Sequence, residues 1–181
     1  MLSKLIATVD AINLRVGRLV MWLTVLMALI QFAIVILRYV FSIGFIPMQE
    51  SVWYLLGIIF MLGAGFTLRH DGHVRVDVYY REAAPRRKAL IDLAGAILFV
   101  IPLCVATGYL AVPYILQSWM VFEGSTEVSG LPFIFLLKTV IWLFALLVGL
   151  QGAALAVRAI LALRSNDVSY RASAWPDARA D

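Results

Sequence analysis

His70 and His73 stand three residues apart in the stretch TLRHDGHVRVDVYYRE, residues 67–82, with Asp71 and Asp77 close by. Two imidazoles at that spacing can share one helix face and hold a metal ion. Gly72 between them argues against a regular helix, and no further strong ligand set accompanies them, so no metal or other cofactor is expected. Val74, Val76 and Val78 alternate with Arg75 and Asp77, as in a short extended segment, whereas Asp77 and Arg81 at i,i+4 would suit a surface helix. Either arrangement makes His70, His73, Arg75 and Asp77 a structured inner-surface loop, better fitted to docking than to catalysis. A second set of polar residues lies inside apolar sequence. Thr24, Gln31 and Arg38 recur every seventh residue, and Glu50, Trp53, Gly57 and Ala64 share a face by the same spacing. Arg38 and Glu50 flank a short turn containing Gly44 and Pro47, and are expected to pair. Lys138 and Gln151 fall within the last apolar run. Ionisable groups in such places are candidates for substrate or ion contact, but Arg38 and Lys138 can also snorkel to the surface and Gln151 can bond a neighbouring helix. The second reading is preferred: Thr24, Gln31, Arg38, Glu50, Trp53, Gly57, Lys138 and Gln151 are read as helix or subunit interface residues.

The elements that carry these residues follow from composition. Hydrophobic residues make up 63% of the chain and charged residues 14%, and the mean hydropathy is +0.93. Too little polar surface remains to cover a soluble globule. The fold class is therefore an all-α integral membrane protein, with apolar runs at about 19–41, 48–68, 90–119 and 131–163, each long enough for a hydrocarbon core that needs about 20 residues of helix. Together, residues 17–163 are read as a four-helix membrane domain. Short alternating segments of the kind that build a β-barrel are not the pattern here.

Residues 1–16 place Leu2, Leu5, Ile6, Val9, Ile12 and Val16 opposite Lys4, Asp10, Asn13 and Arg15, and predict an amphipathic helix lying along the membrane surface. Residues 164–181 are polar and predict a disordered tail. The third run would be about 50 Å long as a single helix, against a core of about 30 Å. Asp92 places its start at the surface, Pro85 suits a first turn, and Pro102 and Pro113 permit a kink or break. Gly149, Gly152, Ala153 and Ala156 suit close helix contact in the last span.

Basic residues gather in the N-terminal segment (Lys4, Arg15, Arg18), the second connection (Arg69, Arg75, Arg81, Arg86, Arg87, Lys88) and the C-terminal segment (Arg158, Arg164, Arg171, Arg179). All fall on one side of a four-span chain, which predicts cytoplasmic N- and C-termini and a cytoplasmic histidine loop. Such a distribution orients a membrane protein and gives no reason to expect a nucleic-acid partner. Cys104, the single cysteine, forms no intramolecular disulfide. Hydrolase, metalloprotease and phosphate-loop signatures are absent from the sequence, and no internal repeat of the kind independent carriers use is visible. The chain is read as a non-enzymatic accessory or scaffold subunit.

RYVF at the end of the first span, QESVWYLLGIIFMLGAGFTLRHDGHVRVDVYY, PRRKALIDL, and STEVSGLPFIFLLKTVIWLFALLVGLQG together resemble the small, DctQ-like membrane subunit of tripartite ATP-independent periplasmic (TRAP) transporters. The resemblance covers about residues 5–163. Many relatives carry two adjacent acidic residues where this chain has Gln49 before Glu50, so a role needing both carboxylates is not carried over. The resemblance implies a bacterial inner-membrane protein that works with a large permease subunit, holder of the substrate and sodium sites, and with a periplasmic solute-binding protein that delivers an organic acid or related solute. Membrane lipid is the remaining partner. Two other readings stay open from the residues alone. One is a haem-free membrane anchor of a respiratory oxidoreductase, because no span contains a histidine to ligate haem; the other is a small oligomeric channel lined by Gln31, Lys138 and Gln151.

Overall fold

The computed structural model describes residues 2–72, 80 and 83–165. Helix α1 spans Leu2–Tyr39, α2 spans Ile46–Arg69, α3 spans Pro85–Gly95 and passes through a π-turn at Ala96–Val100 into α4, Ile101–Met120, and α5 spans Ile134–Ser165. No strand occurs among the described residues. Taking α3, the π-turn and α4 as one rod, four helices are long and apolar enough to cross a membrane, as the composition requires. Trp22, Phe32, Phe60, Phe99, Leu103 and Trp142 are exposed, an outer surface suited to hydrocarbon and unsuited to water.

Helix α5 is the axis of the bundle and packs against every other helix. Its small residues allow this: Ala159 and Ala162 meet Ala89 of α3, Ala154 meets Ile6 and Val9 of α1, and Val148 joins Leu68 of α2 and Cys104 of α4. Gly152 and Ala156 are buried as expected, whereas Ala153 is exposed.

Two expectations for the backbone change. The first sixteen residues do not form a separate surface helix, since α1 runs unbroken for 38 residues, about 57 Å at about 1.5 Å per residue. Its buried stripe is Ile6, Val9, Asn13, Gly17 and Val20, at spacings of three and four, while Leu5 and Ile12 are exposed. The amphipathic face is therefore consumed by α5 and α2, because Asp10 and Asn13 find polar partners there. In the third run, neither proline breaks the helix. Pro102 has no N–H and its ring crowds the carbonyl of Leu98, four residues back. The wider turn just before it accommodates this, with the Ile101 N–H bonding the Ala96 carbonyl five residues back. Pro85 stands in the first turn of α3, where its missing N–H costs nothing.

The stop of α2 positions the opening histidine. Asp71 adopts φ 57°, the Asp71 N–H bonds the Leu68 carbonyl at 3.4 Å, and the Gly72 N–H bonds the Thr67 carbonyl at 2.9 Å. This is a Schellman ending with aspartate in the left-handed position where glycine is usual.

Candidate functional site

The polar side chains collect at the two ends of the bundle. At the end that holds the start of α1 and the ends of α2 and α5, Asp10 is the hub. Its carboxylate accepts from the Arg158 guanidinium and from Gln151 Nε2 at 3.1 Å, and Arg69 Nε stands 3.9 Å away. Gln151 Oε1 in turn accepts from Asn13 Nδ2 at 2.9 Å. Gln151 is 2% and Asn13 0% exposed, so this is a buried network linking α1, α2 and α5. The Asn13 side-chain carbonyl lies directly over Gly65 of α2, where any Cβ would collide with it. Only glycine lets the two helices close there. Asp10 and Asn13 are three apart, and Gln151 and Arg158 seven apart, so each pair shares a helix face.

His70 is tied into the same end. Its ring lies 4.0 Å from that of Phe66, Nδ1 is 2.9 Å from the Phe66 carbonyl, and Nε2 is 3.1 Å from the Arg69 guanidinium. A carbonyl only accepts and a guanidinium only donates, which fixes the proton on Nδ1 and makes Nε2 the acceptor. Neither ring nitrogen then offers a lone pair to a metal. His73, Arg75 and Asp77 lie outside the described residues.

At the opposite end, Glu50 and Lys138 fasten residues 121–133. The Glu50 carboxylate accepts from the Ser125 hydroxyl and from the Leu131 N–H at 2.6 Å, and the Tyr54 hydroxyl donates to the Leu131 carbonyl at 3.4 Å. Lys138 pairs with Glu123, and its ammonium sits 3.9 Å from the centre of the Tyr114 ring, a cation–π contact to α4. The hydrogen bond from Lys138 holds the Glu123 carboxyl below its ordinary value. The Trp119 indole donates to Thr139 at 2.9 Å.

The expected Arg38–Glu50 pair is not formed. Glu50 is satisfied by the segment before α5, and Arg38 is exposed at the last turn of α1. Thr24 and Gln31 are likewise exposed, the Thr24 hydroxyl bonding back to the Val20 carbonyl at 3.3 Å, and Trp53 is 71% exposed. Gly57 faces α5, with Leu137 3.1 Å from where a Cβ would stand. The eight residues read as interface positions thus divide. Glu50, Gly57, Lys138 and Gln151 bind helices of this chain together, and Thr24, Gln31, Arg38 and Trp53 form part of its outer surface. Sequence reasoning missed Asp10, Asn13, Arg69, Arg158, Glu123 and Ser125. Helical spacing between Asp10 and Asn13, and between Gln151 and Arg158, was the available signal.

The described residues thus form a bundle of four helices long and apolar enough to cross a membrane, fastened by polar contacts at both ends. Residues 27–167 match the family model described as tripartite ATP-independent periplasmic transporters, DctQ component. The chain belongs to that family and is the small inner-membrane component of a TRAP transporter. No curated protein and no solved structure matches it. The family is one of transporter components and supports neither the respiratory-anchor nor the channel reading.

Proposed function

We propose that this chain is the stationary subunit of a sodium-coupled uptake system for an organic acid or related solute, assembled with a large permease and served by a periplasmic binding protein. The observation that carries this reading is the double fastening of the bundle. Asp10, Gln151 and Arg158 lock one end, while Glu50 and Lys138 lock the other, leaving a rigid body with a broad apolar exterior. A permease that moves a substrate-carrying domain through the bilayer needs a partner that stays still. Thr24, Gln31, Arg38 and Trp53, exposed on this body, are the polar and aromatic marks of the face that meets the permease, since a polar side chain such as Gln31 within a span seeks protein rather than lipid. The basic end of the bundle, with Arg69, Arg158 and Arg164, lies in the cytoplasm, so both termini do as well. The membrane potential supplies about 2.3 kcal/mol per charge per 100 mV, and its conversion belongs to the permease.

The test is purification of the tagged full chain in mild detergent with identification of what accompanies it, followed by uptake in reconstituted vesicles with and without a sodium gradient. Recovery of a many-span permease and sodium-dependent uptake of an organic anion supports the proposal. Recovery of a flavin or iron–sulfur protein, or uptake indifferent to sodium, overturns it.

A further inference from the structure

One line of residues on α1 is covered for only part of its length. Ile6, Val9, Asn13, Gly17 and Val20 are buried at spacings of three and four, and the same line runs on through Thr24, Ala28, Gln31, Val35 and Arg38, all exposed. From Thr24 to Arg38 the steps alternate four, three, four, three, the pattern of a seam that a second helix fills at about 3.5 residues per turn. Helix α2 repeats it alongside. Trp53, Leu56 and Phe60 are 71%, 43% and 78% exposed, and the half-buried Gly63 and Thr67 continue their line, again in steps of three and four. The two seams border one groove. Its cavity of about 550 Å³ has Met21 and Thr24 on one wall and Phe60 and Thr67 on the other. At its floor Val20 lies 3.7 Å from where a Cβ on Gly63 would stand.

Gln31 sets the chemistry of the occupant. It stands near the middle of the apolar run 19–41, and its amide has no hydrogen-bond partner among the described residues. An acyl chain would leave that amide unbonded in hydrocarbon, where unpaired polar groups are costly. A second copy of this chain, oriented alike in the same bilayer, would meet it across a two-fold axis along the membrane normal. Each seam residue would then face its own counterpart, setting Arg38 against Arg38, and like charges so placed oppose association. A helix of a different protein has neither fault. We infer that a single transmembrane helix of the permease lies in this groove, crossing α1 at about 20° in the left-handed sense, with a hydrogen-bonding side chain opposite Gln31 and a carboxylate opposite Arg38. This rests on the subunit reading above and adds to it the place, the number and the polar chemistry of the partner helix.

The test places a photoreactive benzophenone side chain at one position at a time in the full chain, cross-links it in native membranes and identifies the adducts by mass spectrometry. Ala28, Val35, Leu56 and Phe60 are expected to join the permease, all within one of its spans and in the order of their depth. Leu26, about 200° around α1 from Thr24, and Tyr109 on α4 are expected to give no permease adduct. Both are exposed, at 45% and 77%, so burial does not explain the contrast. Gln31→Leu leaves the melting temperature of the isolated chain unchanged, while retention of the permease in detergent falls about threefold, as the loss of one interhelical hydrogen bond implies. Adducts with lipid alone, or with a second copy, at the four seam positions overturn the inference. So do permease adducts confined to Leu26 and Tyr109, or retention indifferent to Gln31→Leu. In those last two cases the permease is still bound and the subunit reading stands, whereas a chain that purifies without any permease sinks both.

Discussion

Replacing Asp10 by Ala removes the acceptor on which Arg158, Gln151 and Arg69 converge. The Asp10 and Arg158 side chains are 15% and 12% exposed, too enclosed for the 0–1 kcal/mol typical of surface pairs. Taking one partner from a buried pair costs about 3–5 kcal/mol, since the other is left without compensation. The network lies at the end of the bundle, where water can reach part of it, so the lower end of that range, about 3 kcal/mol, is expected. Gln151→Leu gives a contrast of similar volume. It deletes one neutral hydrogen bond to Asn13 and one to a carboxylate, worth about 1 and about 1.5 kcal/mol, and interhelical bonds in membrane proteins average only about 0.6 kcal/mol. A total of about 1–2 kcal/mol is expected. The assay is equilibrium unfolding in mixed micelles, run as a double-mutant cycle with Arg158→Ala. A coupling energy near 2 kcal/mol between Asp10 and Arg158 follows from the geometry. Coupling under about 0.5 kcal/mol, at the level of an exposed ion pair, would refute the reasoning.

The remaining expectations concern the glycine contact and the opposite end. Gly65→Ala drives a methyl group into Asn13 and should cost about 1–3 kcal/mol of overpacking, read as a lowered melting temperature in detergent; a neutral result would mean that α1 and α2 are free to part. Glu50→Lys should release residues 121–133 to added protease, and adding Arg38→Glu should not restore protection, because Arg38 is not the partner of Glu50. Glu123, held below its ordinary value by Lys138, contributes stability that is complete above the ordinary glutamate range and is lost as pH falls through the lowered value. Hydrogen exchange of residues 121–133 should therefore stay slow through mildly acid pH and quicken only below the usual glutamate range, and Glu123→Gln should remove that acid step.

The four spans were legible because a run of apolar residues in the absence of water has few options besides a helix. Pro85 at the start of α3 and the interruption of helix near Gly72 were legible for equally local reasons. What failed to show was which polar residues meet. Arg38 and Glu50 lie close in sequence, so a pair looked natural, yet the stretch Ser125–Leu131, some 75–81 residues further on, supplies better partners. Asp10 was assigned to the polar side of a surface helix because helical spacing sets it, with Lys4, Asn13 and Arg15, opposite the apolar stripe. Its partners are 141 and 148 residues away, and no local spacing reports a contact of that range. The buried stripe of α1 likewise runs through Asn13 and Gly17, which hydrophobicity alone would not choose.

The contact between Asp10 and Arg158 also bears on how the chain is made. It joins the first helix to the last, so it cannot form until α5 has entered the bilayer. Until then Asp10 and Asn13 present a carboxylate and an amide on a helix whose intended cover does not yet exist. Closing a loop of that length adds little entropy beyond that of a loop half its size, about 0.6 kcal/mol, so the delay is one of synthesis rather than of search. Completion of the bundle is thereby marked at a single place, since the last helix to be made supplies the polar cover of the first.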